Sequence, residues 1–174
     1  MESFSSWLSG TELSQLIQST LWVIPAVQSV HIIAIGVIFG SILMVDLRVL
    51  GVVSADQPVA VVSRRFAPWF WGALAVLATT GIILTIGEPR RELMSFSFWG
   101  KMGLIAIGVI VALAFFAHLR ANPTRWEGVS PASGGTKAIA VGVIVVWLLV
   151  IVMGRLIAFD PQFWGPLSGL YTGI

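Results

Sequence analysis

The sequence predicts an all-α integral membrane protein, a bundle of four transmembrane helices with a short amphipathic helix at its N-terminal interface. Three observations carry this fold class. The chain is 57% hydrophobic and only 10% charged over 174 residues, where a soluble domain carries about 25% charged residues. Its mean hydropathy is +0.94. Four apolar runs approach the roughly 20 residues that cross a hydrocarbon layer. Lipid demands that backbone hydrogen bonds close internally, and the runs are too long for barrel strands, so helices follow.

The elements come in this order. Residues 11–19, "TELSQLIQS", predict a short interfacial helix with Thr11 as its cap and Leu13, Leu16 and Ile17 on one face. The spans follow at about 21–45, 69–86, 99–117 and 138–158. "GVVSADQP" and "RRFAP" join the first pair, "GEPRRELMSFS" the second, and "RANPTRWEGVSPASGGTK" the last. The tail "FDPQFWGPLSGLYTGI" has the aromatic, proline and glycine content of an interfacial segment. The whole chain, 1–174, reads as one domain without internal repeats. "GVIFG", with Gly36 and Gly40, has a spacing that lets helices approach closely, and a homo-oligomer is expected from such faces.

Charge sets orientation. Calling the N-terminal side A, side B holds Arg48, Arg64, Arg65, Arg120, Arg125 and Lys137, and side A holds Arg90, Arg91, Lys101 and Arg155. The excess of basic residues predicts side B in the cytoplasm and both termini outside, which in a bacterial inner membrane is the periplasm. The acidic start "MESFSSWLSGTELSQ" predicts no cleavable signal peptide.

Composition also excludes chemistry. There is no cysteine, so disulfides, thiolate metal sites and cysteine nucleophiles are out. The net charge of +2 is scattered and points to no nucleic acid. No nucleophile–base–acid set appears, and Glu88, Glu92 and Asp160 read as border residues, which argues against hydrolysis.

Polar groups inside a membrane are costly and mark function. At 1.5 Å rise per residue, His31 lies roughly 3 Å from the midplane toward side A, with Gln28 one turn further out. Lys101 is about 12 Å, Arg155 roughly 10 Å and Met153 roughly 7 Å toward side A. His118 is about 13 Å toward side B, with Asp46, Arg48 and Arg120. Trp22 and Trp99 border side A. A single metal held by both histidines needs its two nitrogens about 4 Å apart, from His–metal bonds near 2 Å. These registers leave them about 16 Å apart in depth. His31 with Lys101, or with Met153, is the easier pair. Asp46 and Arg48 are placed to form an ion pair. Each polar residue also has a plainer role: His31 bonding between helices, Lys101 snorkelling to the surface, His118 at the interface, Arg155 near a helix C-terminus.

"LWVIPAVQSVHIIAIGVIFGSILMVDLRVLG", "RRFAPWFWGALAVLATTGIIL", "FWGKMGLIAIGVIVALAFFAH" and "GRLIAF" together resemble a bacterial four-helix membrane family of unknown function over residues 7–160. More distantly, His31, Pro68, Thr80–Gly81, Trp99 with Lys101, and His118 resemble the pattern of the four-helix protoporphyrinogen IX oxidases. There the early histidine and the lysine are implicated in binding haem b. The copper-export membrane domains are similar in the same loose way. After His31 this chain has "IAIGVIF" where the oxidases carry a Trp-containing stretch.

The leading expectation is a haem b-binding membrane protein of redox or electron-transfer type, with a quinone or a periplasmic protein as partner. His31 and Lys101 would ligate, Arg155 would meet a propionate, and Gln28 and His118 complete the candidate set. An oxidase-like enzyme, a copper-handling transporter using His31 with Met44, Met102 and Met153, and a cofactor-free structural or assembly subunit stay open.

Overall fold

The computed structural model describes residues 1–126, 128 and 132–172. Part of the predicted last loop (127 and 129–131) and the end of the tail (173–174) lie outside the described residues. Two short helices, α1 (Glu2–Ser9) and α2 (Glu12–Ser19), lead into α3 (Val23–Leu50) and α4 (Val59–Gly87). A one-turn α5 (Pro89–Leu93) precedes α6 (Phe96–Ala121), and α7 (Pro123–Trp126) precedes α8 (Gly134–Leu156). A 3-10 turn, Ile157–Phe159, then α9 (Asp160–Trp164) and a second turn, Gly165–Leu167, close the chain. No strand occurs among the described residues.

Four helices are long and apolar enough to cross a membrane, which makes this a multi-pass membrane protein. They run alternately, so α1, α2, α5 and α9 gather with the N-terminus at side A. α3 packs along both α4 and α8, and α8 packs along α6. The backbones of α4 and α6, and of α3 and α6, stand further apart, and these helices meet through long side chains, Trp71 with Phe116 and His31 with Lys101. The core at mid-depth joins Ala34 and Ile38 of α3, Phe70, Ala73 and Leu77 of α4, and Trp147 and Val150 of α8. Exposed Ile32, Ile33, Ile82, Ile110 and Leu148 provide the outer apolar surface.

Boundaries differ from the sequence reading where helices outrun the hydrocarbon. α3 continues through Asp46 and Arg48, which are buried rather than terminal, and stops at Gly51, whose φ of +82° suits glycine. α4 begins ten residues before the predicted span. It takes in Arg64, Arg65 and Pro68, residues that "RRFAP" suggested as a loop. Pro68 removes a single backbone donor inside a helix that continues past it.

The caps are specific. Thr11 accepts from Ser14 N, as expected. Ser95 and Ser133 do the same for α6 and α8. Ser14 is the buried side chain of α2, while Leu13 and Leu16 are exposed. The Ser14 hydroxyl donates to Ile86 O at 2.6 Å, satisfying one of the free carbonyls at the end of α4. Ile17 packs where a Cβ on Gly87 would come within 2.8 Å. α1 is a second short helix that the sequence reading did not anticipate.

Asp160, read from sequence as a border residue, is fully buried. Its Oδ1 accepts from Ser95 Oγ and Ser97 N, both at 2.8 Å, and Oδ2 accepts from Phe96 N at 3.0 Å. A carboxylate from the chain's far end thus seats the positive end of α6. Trp164 adds an indole hydrogen bond to Ser97 Oγ.

The anticipated ion pair between Asp46 and Arg48 is not formed among the described residues. Arg48 Nε donates to Gln57 O, while Arg48 Nη2 and Asp46 Oδ2 are buried without partners. Residues two apart on a helix point to different faces.

Candidate functional site

The site is a line of polar groups across the side A half of the bundle. His31, on α3, has both ring nitrogens engaged. Nδ1 lies 2.8 Å from Thr80 Oγ1 on α4. Nε2 lies 3.4 Å from Lys101 Nζ on α6. All three side chains are buried, at 8%, 7% and 8% exposure for His31, Thr80 and Lys101, so none of these polar groups is met by solvent.

Hydrogen-bond accounting assigns the tautomer. The Thr80 hydroxyl donates to Val76 O at 2.7 Å, with Leu77 O at 3.2 Å as a second acceptor. Its single proton is thereby committed to its own helix, and its oxygen is left to accept from His31 Nδ1–H. The lone pair of the neutral imidazole then sits on Nε2, facing the Lys101 amine.

Small residues line this arrangement. A Cβ on Gly81 would lie 3.6 Å from His31 Cε1, and one on Gly154 would lie 3.7 Å from Lys101 Cε and Nζ. Met153 Sδ stands 3.6 Å from the corresponding position on Gly100, so Met153 borders the lysine turn. Glu92, half-buried on α5, extends the line outward. Burial raises its carboxyl above the ordinary range, the nearby charges of Lys101 and Arg91 pull it back down, and Glu88 pushes it up. Arg91 itself is paired with Glu88 at 2.7 Å.

Of the residues proposed from sequence, the structure brings together His31 and Lys101. Gln28 is half-buried one turn before His31 on α3. Arg155 is exposed, with its guanidinium 5.1 Å above the Phe159 ring, outside the His31–Lys101 line. His118 is exposed at the other end of α6, 3.3 Å from Asn122 Nδ2 and edge-on to Trp126. It is 17 residues from Lys101 on one helix, or about 26 Å. Met44, toward side B on α3, and Met102, next to Lys101 on α6, are both half-buried. Among the described residues no three of His, Asp and Glu gather to hold a metal ion.

Thr80 and Glu92 are members of the line that chemistry-based reading of the sequence did not select. In the sequence, Thr80 stands out only through a resemblance. A threonine can spend its proton on its own helix and still accept from a second side chain, which makes it a weak signal in sequence and a strong one in geometry. Nothing in the sequence around Glu92 distinguished it from the other charges of "GEPRREL".

The ligand set can be compared with haem b. An axial histidine needs one nitrogen anchored and the other free to bind. Thr80 does the anchoring, and Nε2 faces inward. The facing donor is an amine in direct contact with Nε2 at 3.4 Å, so the two would have to move apart for a metal, with nitrogens roughly 4 Å apart across it, to stand between them. The donor chemistry fits. A propionate partner is not supplied by Arg155 in its present position.

Residues 7–160 match a family described only as being of unknown function. No curated protein and no solved structure matches the chain.

Proposed function

Because the chain belongs to the DUF6644 family of unknown function, we propose its function from the site itself: a haem b-binding membrane protein of the redox or electron-transfer class. The observation that carries this reading is the buried imidazole with its Nδ1 held by Thr80 and its Nε2 directed at Lys101. His31 and Lys101 would be the residues that hold the haem iron. Bound haem would supply one-electron chemistry. The residues of this chain fix the imidazole tautomer, hold the lysine in an apolar setting and keep bulk water away.

The test is the absorption spectrum of protein purified in mild detergent from haem-supplied cells, before and after dithionite. A Soret band with sharp reduced α and β bands is expected in the unmodified protein and in His118→Ala, and is lost in His31→Ala. A colourless protein from haem-replete cells overturns the reading.

A second reading is favoured by one observation. Both His31 nitrogens already have partners, so Lys101–His31–Thr80 is complete as a polar tie between α6, α3 and α4. In that case the protein is a cofactor-free structural or assembly subunit. His31→Ala then lowers thermal stability and leaves the spectrum without any visible band in either protein.

A further inference from the structure

The side B half holds a second feature unconnected with His31. A cavity of about 90 Å³ lies where all four spanning helices meet. Phe66 and Phe70 of α4, Phe115 and Phe116 of α6, and Trp147 of α8 line it, and Asp46 of α3 is its one carboxylate. Asp46 is 8% exposed, and its Oδ2 is buried without a hydrogen-bond partner. A buried polar atom in that state is costly, and natural proteins give such atoms a partner. Arg48 does not provide one: two positions on, it points to another face, with its Nε on Gln57 O and its Nη2 itself unpartnered. The missing partner is a hydrogen-bond donor, and its surroundings are aromatic.

We propose that this cavity binds a hydroxy-aromatic lipid of the quinol class, its ring among the phenylalanines and Trp147 and its hydroxyl donating to Asp46 Oδ2. Aromatic rings pack edge-on and offset against one another, and Phe70 and Trp147 already meet edge-on at 6.0 Å between centroids. The void is smaller than the roughly 150 Å³ that accepts benzene. The ring therefore enters by parting α4 from α6, whose backbones are not closely packed and which meet here through the Trp71 and Phe116 rings. That same seam leads an alkyl tail into the bilayer. As the seat of a redox partner the site rests on the reading given above; as a binding site it stands independently.

The test uses an alkyl-substituted hydroquinone and its dimethyl ether, titrated calorimetrically into the full chain in detergent. The two probes have the same ring and tail, and only the first can donate. The hydroquinone is expected to bind at least about tenfold tighter, the worth of giving a buried, unpaired acceptor its partner. That ratio is expected to collapse to about one in Asp46→Leu and to fall at least about threefold in Asp46→Asn. Ala112→Phe, which fills the cavity wall, is expected to abolish saturable binding of both probes. Equal affinities in the unmodified protein, or a ratio that survives Asp46→Leu, overturn the proposal. Should Asp46→Leu not fold, the two-probe comparison in the unmodified protein and in Asp46→Asn still decides. The same titration on unmodified protein from haem-replete cells separates the two readings. A ratio kept in colourless unmodified protein sinks haem alone, and a ratio of one in haem-loaded protein sinks this site alone.

Discussion

Thr80 Oγ1 lies 2.8 Å from His31 Nδ1 while its own proton is committed to the Val76 carbonyl. The threonine can therefore only accept, and it fixes which histidine nitrogen carries hydrogen. Thr80→Val keeps the shape and removes the acceptor, whereas Thr80→Ser keeps it. Side-chain hydrogen bonds inside membranes are worth about 0.6 kcal/mol on average and up to about 1.7. Thr80→Val is expected to lose about 1 kcal/mol of stability in detergent melts. If haem is bound, haem affinity should also fall about tenfold or more, as for other outer-shell partners. Haem titration of Thr80→Val beside Thr80→Ser checks this, and equal behaviour of the two would remove Thr80 from the site.

Glu92 gives the protein a pH dependence of predictable sign. Burial raises its carboxyl from the usual value of 4.5, outweighing the pull of Lys101. The folded state thus holds this proton more tightly than the unfolded chain does. Its contribution is full below the ordinary carboxylate value and is lost as pH rises through the raised one. Melting temperature should fall across that interval, and Glu92→Gln should flatten this part of the profile. A profile that is the same in both proteins would remove Glu92 as its source.

How far the site was legible in the sequence follows from what each residue needs. His31 and Lys101 stand out because a charge or an imidazole in an apolar run has no plain explanation, and depth along a straight helix is arithmetic. The same arithmetic separated His118 from His31. Arg155 shares the depth of Lys101, but depth says nothing of azimuth, and its side chain turns outward over Phe159. Asp46 and Arg48 look like a pair when read along the chain and point apart on the helix. Asp160 was the largest omission. Its partners are 63 to 65 positions away, and no local pattern encodes a cap supplied at that distance.

That cap makes Asp160 a position of high sensitivity. Asp160→Asn keeps one acceptor oxygen but turns an amide toward Phe96 N, and Asp160→Ala leaves three donors unmet at the start of α6. Hydrogen bonds to a charged group are worth about 1.5–3 kcal/mol each. A loss of about 2 kcal/mol is expected for Asp160→Asn and a larger one for Asp160→Ala, read as detergent melting temperature. Ser97 is one turn before Lys101, so loosening the first turn of α6 also loosens the lysine. Any haem spectrum should broaden in parallel with the loss of stability. A wild-type melt for Asp160→Ala would show that the clamp contributes nothing.

The α6–α8 seam provides a prediction with its own control. At Gly108 an added Cβ would stand 3.0 Å from three atoms of the Trp147 indole. The ring is fixed by burial and by its edge-on contact with Phe70, so it cannot give way as a flexible chain end would. Gly108→Ala is therefore expected to cost about 1–3 kcal/mol through overpacking, despite alanine's better helix propensity. The indole is the cause, so shrinking it should relieve the clash. In Trp147→Leu, Gly108→Ala is expected to be neutral or stabilising, a coupling of at least about 1 kcal/mol between contacting residues. A four-protein cycle of melting temperatures measures it. Simple additivity would mean that α6 and α8 shift apart without cost, and that their contact does not hold Lys101 in place beside His31.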